Sequence, residues 1–136
     1  MTQNVENAQL STSTIGRHSE LLAMAALLAD GWSVSEPTVP EAHDLLASKN
    51  GQQMRIQVKT IKQREKDGVP YYVIRGLKNN REVYSLSDCD AFIGVVGEHV
   101  YLAENRELSE YWSRADDVSE KWKRLDLKIT EKGAIN

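Results

Sequence analysis

The tetrapeptide Lys49-Asn50-Gly51-Gln52 leaves this chain the least freedom. Asn and Gly both tolerate positive φ, and Asn-Gly between alternating segments is the strongest short signal for a β-hairpin. The flanks supply that alternation, so His43–Ser48 (HDLLAS) and Gln53–Thr60 (QMRIQVKT) are predicted to be antiparallel strands. A two-residue turn fixes the pairing: Lys49 opposite Gln52, Ser48 opposite Gln53, Ala47 opposite Met54 and Leu45 opposite Ile56. Ala47, Met54, Leu45 and Ile56 then form one apolar face, which a one-residue slip would turn outward. The other face carries Asp44 opposite Gln57, with Lys59 diagonal to Asp44. Opposed Cβ atoms lie about 4.5–5.5 Å apart and diagonal ones about 7–8 Å. Asp44, Gln57 and Lys59 therefore converge at one end of the hairpin before any tertiary contact is considered.

Upstream, Ile15–Asp30 (IGRHSELLAMAALLAD) is predicted to be a helix, with Ser13 or Thr14 as its cap and Gly31 just past its end. Leu21–Ala29 is apolar without a break, which implies burial on most sides. Glu20 stands at the entry to that run, with Ala23, Met24 and Leu27 on its own face by helical spacing. A carboxylate on an apolar stripe is costly without a partner. Two partners are available: Arg17 one turn back, or a divalent cation shared with Asp44. Lys59 has two roles open as well, as a neutralising partner for Asp44 or as a participant in chemistry. Oxygen ligands without cysteine or clustered histidine suit a hard cation such as Mg²⁺ or Mn²⁺. Glu20, Asp44, the Gln57 amide and a strand carbonyl such as that of Val58 form such a set, with room left for water and a phosphate oxygen. Lys59 beside it can orient or help deprotonate the attacking water, or stabilise charge on the reacting phosphate. Such an arrangement hydrolyses phosphodiesters.

The rest of the chain reads as further strands. Trp32–Pro37 alternates and ends at a Pro37–Pro40 turn, Tyr71–Gly76 follows a charged loop, and Asp90–Val96 is a buried strand that turns at Gly97-Glu98 into His99–Leu102. Residues 107–124 are charged, with Leu108, Trp112, Val118 and Trp122 interspersed, and are predicted to form one or two helices that the two tryptophans anchor. Residues 1–12 are expected to be a flexible tail and 13–136 a single domain, since 136 residues suffice for one hydrophobic core. Hydrophobic residues at 40% and charged ones at 27% exclude a disordered or fibrous chain. No apolar run approaches the ~20 residues of a membrane span, and the N-terminus lacks a signal-peptide pattern. Cys89 stands alone, which excludes a disulfide framework and a cysteine-rich zinc site. A reducing, cytoplasmic setting is expected. Among other residues, His18 is expected to be exposed and His99 half-buried. Tyr71 and Tyr72 should pack within their strand, and Asp88 and Asp90 should serve turns.

Charge is unevenly spread. Between Lys59 and Arg81 seven cations meet only Glu65 and Asp67, a balance of +5, so the remainder carries −8 to give the net −3. A basic segment on an acidic protein is a candidate phosphate-facing surface.

Glu20 on the first helix, Asp44 at the start of one strand and Gln57-Val58-Lys59 on the next resemble the signature of the PD-(D/E)xK nuclease superfamily. The resemblance spans Gly16 to Thr60 and, more loosely, the DAFIGVV strand. RIQVKT is similar to its group I intron-encoded homing endonucleases, and Holliday junction resolvases share the layout at similar length. The resemblance implies a restriction-endonuclease-like α/β core: a central mixed sheet flanked by helices, in α-β-β-β-α-β order. It implies a metal-dependent DNA endonuclease in which Glu20, Asp44, Gln57 and Lys59 are catalytic and Glu20, Asp44, Gln57 and Val58 hold Mg²⁺, with Mn²⁺ as a substitute. Arg17, Thr60, Lys62, Arg64, Lys66, Arg75 and Lys78 are then the DNA contacts. A homodimer or homotetramer is implied because one site cuts one strand. A junction resolvase, or a non-catalytic module binding nucleic acid or protein, are the alternatives. Two positions depart from the pattern. His43 stands where proline is usual, and Gln57 stands where an acidic residue is usual and binds Mg²⁺ less tightly than a carboxylate.

Overall fold

The computed structural model describes residues 9–130. Helix α1 spans Thr12–Ala29, and its cap is Ser11, whose hydroxyl accepts a hydrogen bond from the Thr14 N–H at 3.1 Å. The helix therefore starts ahead of a Ser13 or Thr14 cap, while residues 1–8 of the expected tail lie outside the described residues. The turn at Asn50-Gly51, with φ of 52° and 80°, joins β2 (Leu45–Lys49) to β3 (Gln52–Thr60). Its register is the one the turn dictates, from Lys49 opposite Gln52 to Leu45 opposite Ile56.

This hairpin is the heart of a six-stranded sheet in the order β1-β2-β3-β6-β7-β9. Its other members are β1 (Ser33–Ser35), β6 (Ala91–Val96), β7 (His99–Glu104) and β9 (Lys123–Leu125). The β3–β6 pair is parallel and the rest are antiparallel, which makes the sheet mixed. A parallel pair needs a crossover. Here the connection carries a second hairpin, β4 (Lys62–Lys66) and β5 (Val69–Arg75), where a helix is expected. Asp67 and Gly68, with φ of 53° and 78°, close that hairpin in a tight turn. The segment predicted as a charged loop is thus the strand β4, exposed at every residue and without any apolar alternation to mark it. β5 also pairs β8 (Glu110–Arg114), so β4-β5-β8 form a second sheet.

The C-terminal region is not the predicted pair of helices. Residues 107–124 hold β8, a 3-10 turn at Ala115–Asp117, the four-residue α2 (Val118–Lys121) and the start of β9. Trp112 lies within β8, edge-on to Tyr71 at 5.6 Å between ring centroids. Trp122 is buried just past α2, against Tyr101. Strand alternation wins here because Tyr111 and Ser113 turn inward while Glu110 and Arg114 face water.

Three layers result. One core joins Ala23, Ala26 and Leu27 of α1 to Leu45, Ile56, Ile93 and Val95 of the large sheet. The other joins Phe92 and Val96, on the opposite face of β6, to Ile74 and Tyr111 of the small sheet. β6 is therefore buried at all six residues, as its continuous apolar run requires. Gly94 lets the layers close, since a Cβ there would lie 2.7 Å from Ile74 Cδ1 and 2.8 Å from Ile61 Cδ1. Helix α1 packs on one side only, so the expectation of burial on most sides fails: Leu21 is 50% exposed and Leu28 57%. His99 is likewise exposed on β7 rather than half-buried.

Candidate active site

Asp44 sits one residue before β2, where its N–H donates to Ile56 O at 2.8 Å and its Oδ2 accepts from the Val58 N–H at 3.0 Å. The strand pairing ends at Leu45 opposite Ile56, and just beyond it the Asp44 carboxylate is held on the Val58 N–H, beside Gln57 in the chain. Asp44, together with Glu41, lines two adjoining clefts. The first, of about 380 Å³, is lined by Glu20, Glu36, Glu41, His43 and Asp44 among others. The second, of about 470 Å³, is lined by Asp44, Gln57, Lys59, Lys78 and Tyr84 together with neighbouring loop residues. Glu20 from the helix thus shares one cleft with Asp44, and Gln57 and Lys59 from the hairpin share the other with it.

Burial raises the Asp44 pKa, the Val58 N–H opposes that shift, and the nearby charge of Glu20 adds to it. The two carboxylates are thus close enough to repel. Burial lowers the Lys59 pKa, against the pull of Asp44. Lys59 is not the ion-pair partner of Asp44. Its Nζ donates to the Leu77 carbonyl at 3.3 Å and lies 5.0 Å from the centroid of the Tyr84 ring. Glu20 does have the partner one turn back: Arg17 reaches its Oε1 at 3.1 Å and at the same time forks onto Glu36 at 2.8 and 3.2 Å. Among the described residues no group of three or more His, Cys, Asp and Glu is arranged to hold a metal. The donor set here has a different make-up, two carboxylates completed by an amide and a backbone carbonyl. All four donors are hard oxygens, the donor chemistry that suits a hard divalent cation. Val58 can contribute only its carbonyl, because its side chain is in the core.

The remaining residues named from the sequence divide into three groups. Lys62, Arg64 and Lys66 pair with Val73, Tyr71 and Val69, so by strand alternation they share one face with Arg75, opposite the face carrying Ile74 and Tyr111. The basic residues thus form one surface on the outer side of the small sheet. Lys78 is separate from them, in the second cleft, bound to Asp88 at 2.7 Å. Arg17 and Thr60 are both tied to other residues, Arg17 as described and Thr60 through a 2.7 Å hydroxyl contact with buried Ser19. Asp88 holds a turn, accepting from the Ser85 N–H, whereas Asp90 does not: it ties the start of β6 to β3, accepting from the Arg55 N–H and pairing with its guanidinium at 3.1 Å. Sequence reasoning missed Glu36, Glu41 and Tyr84. Tyr84 carries no local signal, being one tyrosine in an irregular stretch, and only the tertiary fold brings it to Lys59.

A family model for PD-(D/E)XK endonucleases matches residues 10–134. The chain belongs to that family. As a PD-(D/E)XK endonuclease it is a nuclease by family, and nucleases of this kind generally use divalent metals. The structure of a bacterial homing endonuclease, I-Ssp6803I, is similar at a TM-score of 0.66 and 25% identity, over 79% of this chain and 81% of that one. Among curated proteins none matches by sequence. No helix among the described residues of this endonuclease is long and apolar enough to cross a membrane.

Proposed function

We propose that this protein is a metal-dependent DNA endonuclease whose active centre is Glu20, Asp44, Gln57 and Lys59. The observation that carries the reading is the position of Asp44, which lines both the cleft of Glu20 and the cleft of Gln57 and Lys59. Glu20, Asp44, the Gln57 amide and the Val58 carbonyl are the groups that would hold Mg²⁺, or Mn²⁺ in its place. When bound, such an ion supplies positive charge to the reacting phosphate and acidity to water. Lys59, poised at the edge of the same cleft, orients the attacking water or stabilises the charge that develops on the phosphate oxygens. Lys62, Arg64, Lys66 and Arg75 bind the DNA backbone from the outer face of the small sheet. Lys78, which lines the cleft of Gln57 and Lys59, faces the scissile phosphate, and Arg17 holds a neighbouring one.

The target is duplex DNA, a reading supported by the similarity to the structure of a bacterial homing endonuclease. One site cuts one strand, so the working unit is a homodimer or homotetramer. The exposed apolar residues Leu21 and Leu28 on α1 are surface that a second copy can cover. The test is Mg²⁺-dependent nicking of supercoiled plasmid by the wild type, Asp44→Ala and Lys59→Ala. The site predicts activity lost to chelator and to either substitution. Cutting that persists in both variants removes it, and tight binding without cutting in the wild type identifies a non-catalytic module. Preference for a four-way junction over linear duplex marks a junction resolvase instead.

A further inference from the structure

The segment between β5 and β6 bends back over the second cleft and brings Tyr84 to Lys59. Two ends of that segment touch the same ammonium: the Leu77 carbonyl accepts from Nζ at 3.3 Å, and the Tyr84 ring lies beneath it at 5.0 Å. A bridge between Leu77 and Val83 ties these ends together, and Arg81, at φ 69°, makes the turn between them. Tyr84 itself has little freedom. Its N–H donates to Gly76 O at 3.3 Å, its carbonyl accepts from Asn105 Nδ2 at 3.2 Å, and its ring meets Phe92 edge-on at 5.5 Å. Asn105, 2% exposed, also binds the Ser85 and Cys89 carbonyls, so one buried amide fixes the backbone around Tyr84. The only other cation near the ring among the described residues is Lys78 at 5.9 Å, and Asp88 holds that ammonium at 2.7 Å.

We infer that Tyr84 is a positioning residue for Lys59, its ring face and the Leu77 carbonyl together holding the ammonium at the rim of the cleft that Asp44 and Gln57 share. The inference rests on the reading of Lys59 as the residue that serves hydrolysis. A lysine has four rotatable side-chain bonds and in this site no carboxylate within ion-pair distance, so without a seat its ammonium would sample much of the cleft. An aromatic face attracts a cation through its ring quadrupole, most strongly where water is excluded. Tyr84, at 7% exposure, meets that condition. Holding the reacting group at the right distance acts on the chemical step, and leaves the affinity for DNA untouched.

The test replaces Tyr84 by phenylalanine and then by phenylalanines of increasing ring fluorination, which keep the shape and weaken the ring's negative face. Plasmid nicking at saturating Mg²⁺ gives kcat and KM, with Lys59→Ala as the control. Tyr84→Phe is expected to stay within about twofold of the wild type. kcat then falls stepwise with fluorination to roughly tenfold below it, while KM stays constant. A second readout needs no activity. By NMR the ε-methylene protons of Lys59 should be shifted upfield by the ring in wild type and Tyr84→Phe, and should lose that shift in Tyr84→Leu. A flat fluorination series together with an inactive Lys59→Ala overturns the inference alone. So does a Tyr84→Phe enzyme as slow as the fluorinated ones, which would place the role in the hydroxyl. Lys59→Ala nicking like the wild type overturns the reading of the site and this inference with it.

Discussion

Asp44 is held in a conformation that suits a cation better than it suits folding. Its Oδ2 is satisfied by the Val58 N–H, yet burial and the charge of Glu20 push its pKa upward. An acid with a raised folded pKa destabilises the fold in its ionised form. That penalty is absent below the ordinary carboxylate range, accumulates as pH rises toward the raised value, and is complete above it. Asp44→Asn keeps an acceptor for the Val58 N–H and removes the charge. It is expected to melt at or above the wild-type temperature at pH 7 without divalent metal, with the difference vanishing at acid pH, while nicking falls by at least about a hundredfold. Melting curves at two pH values and plasmid nicking check both halves. That Asp44, Gln57 and Lys59 come to one cleft was legible in the sequence, because a two-residue turn fixes register locally and period-2 alternation does the rest. Glu20 was legible as an acid on an apolar stripe. That Arg17 would bind Glu20 and Glu36 together was not legible, because Glu36 reaches α1 only through the tertiary fold.

Among the elements, β6 connects the two cores, and Gly94 sets how closely the small sheet approaches it. In Gly94→Ala the new Cβ would meet Ile74 and Ile61 at 2.7–2.8 Å, both buried side chains. Overpacking of this kind costs about 1–3 kcal/mol. A drop of that size is expected in urea unfolding, with an unchanged m-value. The elements that the sequence disclosed are those with strong local codes: α1 by its cap and apolar run, β2 and β3 by their turn, β6 by its continuous hydrophobicity. β4 carries no such code. Its residues Lys62–Lys66 are all solvated, and the strand exists because β5 offers it hydrogen bonds next to a tight Asp67-Gly68 turn. Residues 107–124 misled for the opposite reason. Leu108, Trp112, Val118 and Trp122 interspersed among charges read as helical, but the edge of β5 was free to pair and drew Glu110–Arg114 into the sheet.

Across the whole molecule, a net charge of −3 conceals a basic face. Lys62, Arg64 and Lys66 come from one edge strand and share the outer side of the small sheet with Arg75. Each phosphate contact contributes about 0.9 to the slope of log affinity against log salt on duplex DNA. The triple change of Lys62, Arg64 and Lys66 to Gln is therefore expected to weaken binding equally across sequences and to flatten that slope by up to about 2.7. Fluorescence anisotropy at several salt concentrations measures it, and an unchanged slope would move the DNA to another face. The proposed centre requires α1 and the hairpin to share one ion. A crystal soaked in Mn²⁺ tests that directly through anomalous scattering. The expected result is a single peak between the carboxylates of Glu20 and Asp44, within ligand distance of the Gln57 amide, with Arg17 remaining on Glu36. A peak elsewhere, or none while Glu20 stays bound to Arg17, would contradict it.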